Sequence, residues 1–387
     1  EESEVRGQAA KALGDLRRPT TLGSLLPLLH DPEPRPRFFA AIAVGKLGGG
    51  KAKPGLVKML RENADHDRYL RHAAVMGLAG CLSHAELAAL AQDPSPAVRL
   101  GAVVALRRHE APQLADFLDD AEPAVAVEAA RAIYDLPVAS ALPRLAQWIS
   151  KPERLANLDS GDDKKVGLRE PALRRVVNAN FRLGGPMQAE ALAAFAADDR
   201  IPASIRAEAI ERLADWAAPS GRDPVTGLWR PLPPRDNAPA IRALSSRMAS
   251  FLASPYTPVK LAAAAAAGRY KLKQASGALA DLSNNPKEAG SVRVEALKAL
   301  AASDAVETEA ALGNALRDSS EAVRKEALRL SAERSPALAV KQFRELLTQG
   351  SVSDKQAAFA TLAGLPGNEA DALVEEWLDR VIANSAP

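Results

Sequence analysis

The stretch DPSPAVRLGAVVALRRH, residues Asp93–His109, contains the pattern that decides the fold. Its aspartate suits a turn, and its proline suits the start of a helix, where a missing amide donor is harmless. An apolar residue and a basic residue follow, and further small or apolar side chains recur at helical spacing. The same pattern later in the chain places four residues on one narrow face: Val292, Ala296, Ala299 and Leu300. Each such stretch predicts a helix that buries one face.

The basic residue of this pattern recurs along the chain, mostly at intervals of about 31 residues. Its members, the anchor positions, are Arg6, Arg37, Arg71, Arg99, Arg174, Arg206, Lys260, Arg293, Arg324 and Lys355. Glu128 occupies the position once, and two wider intervals contain insertions. A second, shorter apolar segment completes each repeat, as in TLGSLLPLL from Thr21. The pattern predicts an all-α fold, a single right-handed α-solenoid of about eleven helix pairs over residues 1–387.

The repeat also predicts how the helices pack. We expect the apolar residues that start the stripes to be buried; these include Val5, Val98, Val292 and Val323. We expect the glycines that follow the stripes to end helices; these are Gly14, Gly48, Gly80 and Gly268.

The DPSPAVR turn and its short helix pair resemble the HEAT repeat, in the form of about 30 residues found in phycobilisome-lyase-type proteins. The resemblance covers nearly the whole chain. It implies that the anchor arginines pack between successive first helices and bond to turn carboxylates or carbonyls. Their forked donors suit such a ladder.

The first insertion, at about 151–170, is polar and predicts a surface loop. It contains Asp159, Asp162 and Asp163, but these residues lack the spacing of a calcium-binding EF-hand loop. Lys164 and Lys165 follow directly, so we interpret the carboxylates as solvated and predict no metal there.

The second insertion, at about 219–239, contains RDPVTGLWRPLPPRD, Arg222–Asp236. Its prolines restrict the backbone, which predicts an ordered loop. We expect Leu228 and Trp229 to pack against neighbouring helices, with Arg222, Arg230 and Arg235 at the rim. A loop held in this way is a candidate docking site for an adjoining domain.

This insertion, with HDRYLRHAAV (His66–Val75) and PASIRAEAIERLADW (Pro202–Trp216), resembles a narrower group. It is similar to the HEAT segment of large exported proteins of planctomycete and verrucomicrobial type. In those proteins a dehydrogenase-like β-propeller precedes the segment and a c-type cytochrome follows it. The resemblance implies a periplasmic or exported redox protein as the parent. Cys81 lies in CLSH, not in Cys-x-x-Cys-His, so this chain itself has no site for covalent haem.

Charge and apolar content limit the partners. The chain has 50 basic and 48 acidic side chains, a net charge of +2, so no global field draws it to nucleic acid. No apolar run reaches the length of about 18 residues that a membrane span needs. We therefore expect a protein domain as partner, with no nucleic acid and no membrane span. The oligomeric state stays open.

The residues show no pattern typical of catalysis. The five histidines are His30, His66, His72, His84 and His109, and their spacing does not indicate a metal site. HEAT-like deoxyhypusine hydroxylases need several His-Glu pairs, whereas only His109 and Glu110 form one here. The function predicted is a non-catalytic scaffold without cofactor or metal. A HEAT-like enzyme of the bilin-lyase or DNA-glycosylase type remains the alternative, and a free-standing scaffold with a separate partner is a third possibility.

Overall fold

A computed structural model describes residues 2–151, 153, 155, 158, 167–365 and 367–385. These residues form helices, turns and loops, and one isolated antiparallel bridge joins Arg222 and Trp229. The prediction of an all-α fold of HEAT-like helix pairs is confirmed. The chain divides into two compact units: unit 1 is Glu1–Leu183 with Arg222–Trp229, and unit 2 is Gly184–Gly221 with Arg230–Pro387. The interpretation as one single solenoid stays a prediction.

Unit 1 alternates long first helices with shorter second segments. The first helices are α1 (Ser3–Leu16), α3 (Pro34–Leu47), α5 (Arg68–Cys81), α7 (Pro96–Arg108), α8 (Pro123–Asp135) and α10 (Arg169–Leu183). The second segments are α2 (Leu22–Leu25), α4 (Lys53–Asn63), α6 (His84–Ala88) and α9 (Leu142–Ala146), with 3-10 turns at Pro27–His30, Ala89–Gln92, Pro112–Phe117 and Gln147–Ser150. Each first helix packs on the next one in the chain.

Unit 2 continues the same alternation. Its first helices are α12 (Ala203–Ala214), α15 (Thr257–Arg269), α17 (Gly290–Ser303), α19 (Glu321–Arg334) and α21 (Val352–Leu362), and they pack in that order. Its second helices are α11 (Pro186–Ala197), α13 (Ala238–Ser245), α14 (Met248–Leu252), α16 (Ser276–Asn284), α18 (Thr308–Ala315), α20 (Pro336–Gln349) and α22 (Asn368–Ile382). No described helix is both long and apolar enough to span a membrane.

The predicted apolar stripe is buried in the internal repeats but not in α1. Val98, Val292 and Val323 are each 0% exposed, which confirms the helix register. The prediction for Val5 is wrong, because this side chain is 56% exposed. Helix α1 packs on α3, and its buried residues are Gly7, Ala10 and Gly14, which have no side chain or only a methyl group. The stripe that begins at Val5 therefore lies on the other side of the helix.

Three of the glycines predicted to end helices lie inside them instead. A Cβ on Gly14 would lie 2.6 Å from the Cβ of Ala43, and one on Gly80 would lie 2.0 Å from the carbonyl oxygen of Gly45. Gly268 is placed in the same way against the next first helix. These glycines permit successive first helices to approach closely, so their missing side chain matters more than their backbone freedom. Gly48, with φ 76°, does end α3 as predicted.

Candidate functional site

Arg6 and Asp31 join two successive helix pairs by a two-pronged ion pair. Arg6, on α1, donates from Nε to Oδ2 of Asp31 at 2.7 Å and from Nη2 to Oδ1 at 2.9 Å. Asp31 lies in the turn before α3, where its Oδ1 also accepts from the amide of Glu33 at 3.0 Å. The bonds from Arg6 hold the pKa of this carboxyl below its usual value. One carboxylate therefore orders the turn and binds the preceding helix.

A joint of the same kind occurs further along unit 1, between α7 and α8. Arg99, on α7, donates to both oxygens of Asp120, at 2.7 and 3.0 Å, in the turn before α8. Its remaining Nη1 donates to the carbonyls of Asp93 and Pro94, at 2.9 and 3.2 Å. The bond to Asp120 raises the pKa of the Arg99 guanidinium. Arg99 thus connects the turn before its own helix to the turn before the next one.

Unit 2 contains three joints of this kind in succession. Each basic side chain of a first helix contacts an acid at the start of the following first helix; the pairs are Lys260–Glu288, Arg293–Asp318 and Arg324–Asp354. Arg324 donates from Nε to Oδ1 of Asp354 at 2.9 Å and from Nη1 to the carbonyl of Asp318 at 2.7 Å. Burial alone would raise the pKa of Asp354, but its bonds to Arg324 and Ser351 lower it.

Other anchor positions make different contacts. Arg71 pairs with Asp65, and Arg206 pairs with Asp199, each in the turn before its own helix. Arg37 lies near Asp31, where its charge helps to lower the pKa of that carboxyl.

Three further positions depart from the simple joint. Glu128, which replaces the basic residue once, accepts from Arg107 at 2.8 Å and from Arg131 at 3.1 Å. Lys355 lies on the first turns of α21. Arg174 donates from Nη2 to the carbonyl of Pro224 at 2.8 Å. This anchor residue therefore contacts the second insertion.

Residues Arg222–Trp229, called here the Trp229 hairpin, form a tight turn within unit 1. The amide of Asp223 donates to the carbonyl of Leu228 at 2.8 Å, and the amide of Gly227 donates to the carbonyl of Asp223 at 2.8 Å. Gly227 has φ +71°, a conformation that suits glycine. Arg222 adds a bond from Nη1 to the carbonyl of Gly227 at 2.9 Å. The backbone of the hairpin is thus fixed by its own hydrogen bonds.

Asp223 is the residue that fastens the hairpin to unit 1. Its side chain is fully buried, and its Oδ2 accepts from the hydroxyl of Tyr134 at 2.8 Å and from Nη1 of Arg182 at 3.3 Å. Its Oδ1 accepts from the amides of Val225 and Thr226, at 3.0 and 2.9 Å. Tyr134 lies on α8 and Arg182 on α10. A buried carboxylate with charged and neutral donors is a strong polar anchor.

The expectation that Leu228 and Trp229 pack against helices is wrong. Trp229 is 75% exposed and Leu228 is 56% exposed. The physical reason is that the buried Asp223 carboxylate, and not an indole, holds the hairpin in place. Trp229 pairs with Arg222 in the bridge at the open end of the hairpin, and its side chain points to solvent.

Residues Arg230–Arg235, called here the proline strand, belong to unit 2. The amide of Arg230 donates to the carbonyl of Gly221 at 2.8 Å, and the amide of Arg235 donates to that of Ala217 at 3.1 Å. The guanidinium of Arg235 lies 4.0 Å above the ring of Trp216, and its Nε donates to the Trp216 carbonyl at 2.8 Å. Burial lowers the pKa of Arg235 to about 10. The prediction of a rim position is therefore wrong for Arg235, because stacking on a buried indole draws it inward.

Sequence reasoning assigned no role to Asp223, Tyr134 or Arg182. A signal was present in the segment RDPVTG, because an aspartate followed by proline and a later glycine is typical of a turn capped by its own carboxylate. Nothing in the sequence indicates which distant donors the other oxygen meets. The contact between Asp223 and Tyr134 joins residues 89 positions apart and is visible only in the folded structure.

The histidines and the cysteine do not form a metal site in the described part of the chain. The rings of His84 and His109 lie 5.1 Å apart, and Nε2 of His109 bonds to the carbonyl of Ala79 at 2.9 Å. Burial raises the pKa of the Cys81 thiol to about 11, and this thiol donates to the carbonyl of Val44. No cluster of three or more His, Cys, Asp or Glu ligands occurs among the described residues. Asp159, Asp162 and Asp163 lie outside them.

Comparison with family models finds helical repeats in the first part of the chain. Residues 1–79 match the family model described as HEAT repeats. No curated protein matches the chain. A homology model of the full-length AP-3 complex in an intermediate open conformation is similar, at 12% identity and a TM-score of 0.44, over 98% of this chain and 73% of that one.

Two further solved structures are similar in the same general way. The crystal structure of Kap121p aligns at 13% identity and a TM-score of 0.44, over 98% of this chain and 52% of that one. Human deoxyhypusine hydroxylase in complex with glycerol aligns at 18% identity and a TM-score of 0.28, over 89% and 98%.

Proposed function

We propose that this chain is a non-catalytic helical-repeat scaffold that binds or positions another protein domain, and that the Trp229 hairpin is a docking contact. The observation that carries the proposal is the combination of a buried anchor and an exposed tip. Asp223 is 2% exposed and holds the base of the hairpin, whereas Trp229 beside it is 75% exposed. An indole left in water on a fixed backbone favours burial against a partner.

The energetics fit an interface contact. An indole buries about 150–250 Å² when covered, worth several kcal/mol at about 25 cal/mol per Å². Because the hairpin backbone is already ordered by its hydrogen bonds, little conformational entropy remains to be lost on binding. Arg222, also exposed, supplies a charge at the rim of this contact. Tryptophan and arginine are among the residues that most often act as hot spots of binding energy in protein interfaces.

The proposal extends to the context of the chain. We place it as a segment of a larger exported redox protein, with a dehydrogenase-like propeller before it and a c-type cytochrome after it. The support is the sequence resemblance of His66–Val75, Pro202–Trp216 and the second insertion. Sequencing the flanks of the gene tests this: a propeller-coding or Cys-x-x-Cys-His-coding region supports it, and flanks with neither contradict it.

The docking role is tested by comparing matched variants of the full chain. Affinity-tagged wild-type chain, Trp229→Ala and Val306→Ala are purified from the native cell, and co-purifying proteins are quantified by mass spectrometry. Val306 is 89% exposed in unit 2, so it controls for the loss of an exposed apolar side chain. We expect one partner to be lost with Trp229→Ala and retained with Val306→Ala, and the purified pair to reproduce that difference in a titration. Identical partner sets for all three chains contradict the proposal.

A further inference from the structure

The proline strand has a sequence that fixes its backbone conformation. It reads RPLPPR, and none of its residues lies in a helix or a strand. Each proline ring holds φ near −65°, and a residue that precedes a proline is restricted to extended ψ. Pro233 satisfies both conditions, while Arg230 and Leu232 also precede prolines. These constraints together favour a left-handed polyproline II helix, which has three residues per turn.

Burial along the strand separates the prolines from the other residues. Leu232 and Arg235, three positions apart, are both half-buried, and Arg235 stacks on Trp216. Pro231, Pro233 and Pro234 are all exposed. The three prolines are therefore open to solvent, and two of them, Pro231 and Pro234, are three positions apart, which is one turn of a polyproline II helix.

The strand is held at both ends. Arg230 is fixed by its amide bond to Gly221, and Arg235 by its amide bond to Ala217 and its stack on Trp216. An extended segment between two fixed points, with prolines at three of its six positions, has little freedom left to lose. Its binding surface is ordered before any partner arrives, which favours affinity.

We infer that Pro231 and Pro234 are read by a partner domain through a groove lined with tyrosine and tryptophan side chains. Two prolines separated by two residues are the spacing that such grooves accept, because each ring packs flat between aromatic side chains. A polyproline II strand makes no internal backbone hydrogen bonds, so its carbonyls also suit indole and hydroxyl donors in the groove. This inference rests on the proposed scaffold function and deepens it by stating the binding chemistry of the partner.

The test uses three purified probes that read polyproline II ligands by aromatic grooves: an SH3 domain, a WW domain and an EVH1 domain. Binding of each probe is titrated against the full chain, the double variant Pro231→Ala/Pro234→Ala, and the free peptide Arg230–Asp236. Pro94→Ala is the matched control, because Pro94 is an exposed proline in a turn of unit 1. We expect at least one probe to bind the full chain more tightly than the peptide, and the double variant to weaken that binding by about tenfold or more.

The controls keep the outcome clear. Pro94→Ala should bind as the wild type does, and circular dichroism of the double variant should match that of the wild type because both prolines are exposed. If the double variant does not fold, the same substitutions in the peptide measure the effect. The inference is overturned if no probe binds the full chain, or if the double variant binds equally well. Loss of the native partner with Trp229→Ala would then still support the scaffold function, so the two proposals fail separately.

Discussion

The hydroxyl of Tyr134 donates a hydrogen bond of 2.8 Å to the carboxylate of Asp223, although the two residues are 89 positions apart in the chain. Tyr134 is 0% exposed and Asp223 is 2% exposed, so neither group has water as a substitute partner. The Trp229 hairpin is therefore held within unit 1 by a buried polar contact, while its side chains Leu228 and Trp229 lie on the surface.

We expect Tyr134→Phe to loosen the Trp229 hairpin, because the buried carboxylate loses one donor. The loss should cost about 1–3 kcal/mol in the free energy of unfolding. Hydrogen exchange of the amides in Arg222–Trp229 should become faster. Tyr270→Phe is the control, since the Tyr270 hydroxyl donates to the carbonyl of Leu213 within unit 2. Unchanged exchange of the hairpin in Tyr134→Phe would contradict the anchoring role.

Trp229→Ala should leave the stability of the chain almost unchanged, within about 0.5 kcal/mol, because an exposed side chain contributes little to folding. Trp216→Ala should cost about 3–5 kcal/mol, because Trp216 is 0% exposed and supports Arg235. Urea unfolding of the two variants measures both values. A large loss of stability in Trp229→Ala would show that the indole packs after all.

Val292→Asp should destabilise unit 2 by several kcal/mol, because it places an unpaired carboxylate at a position that is 0% exposed. Val306→Asp, at a position that is 89% exposed, should change stability by less than about 0.5 kcal/mol. Thermal unfolding of both variants gives the comparison. Equal melting temperatures would refute the register of the repeat.

The joint between Arg6 and Asp31 should make stability depend on acid. Because the hydrogen bonds from Arg6 lower the pKa of Asp31 from its usual value, the folded state binds this proton less readily than the unfolded state. The stabilisation is complete above the unfolded pKa and is lost as the pH falls through the lower folded value. Asp31→Asn should therefore be less stable than the wild type at pH 7, by about 1–2 kcal/mol.

The same difference should shrink as the pH falls below about 4. Asp281→Asn, which alters an exposed carboxylate in unit 2, is the control and should run parallel to the wild type. The measurement is the free energy of unfolding in urea at a series of pH values. A constant gap between wild type and Asp31→Asn across the acid range would contradict the lowered pKa.

Much of the fold follows from the sequence because it depends on local periodicity. The burial of Val98 and Val323, and the helix starts at Pro96 and Pro123, are set by spacing within one repeat. The role of Gly80 was less predictable, because its function depends on a carbonyl of the neighbouring helix and not on its own turn.

The candidate site was predictable in place but not in detail. The proline-rich stretch marked the second insertion as ordered, whereas the exposure of Trp229 depends on Asp223 meeting Tyr134 on a distant helix. The periodic pattern of the sequence does not predict that contact. A single buried carboxylate decided which side of the loop faces water.

The ladder of unit 2 has a consequence for how such a chain changes length. In Lys260–Glu288, Arg293–Asp318 and Arg324–Asp354 the basic partner lies on one first helix and the acid lies at the start of the next. Each joint therefore pairs a basic side chain with an acidic one in the same order along the chain. Excision or duplication of one whole helix pair brings a basic half and an acidic half together again. The number of repeats, and with it the length of the scaffold, can thus change in evolution or by protein engineering without a redesign of the joints.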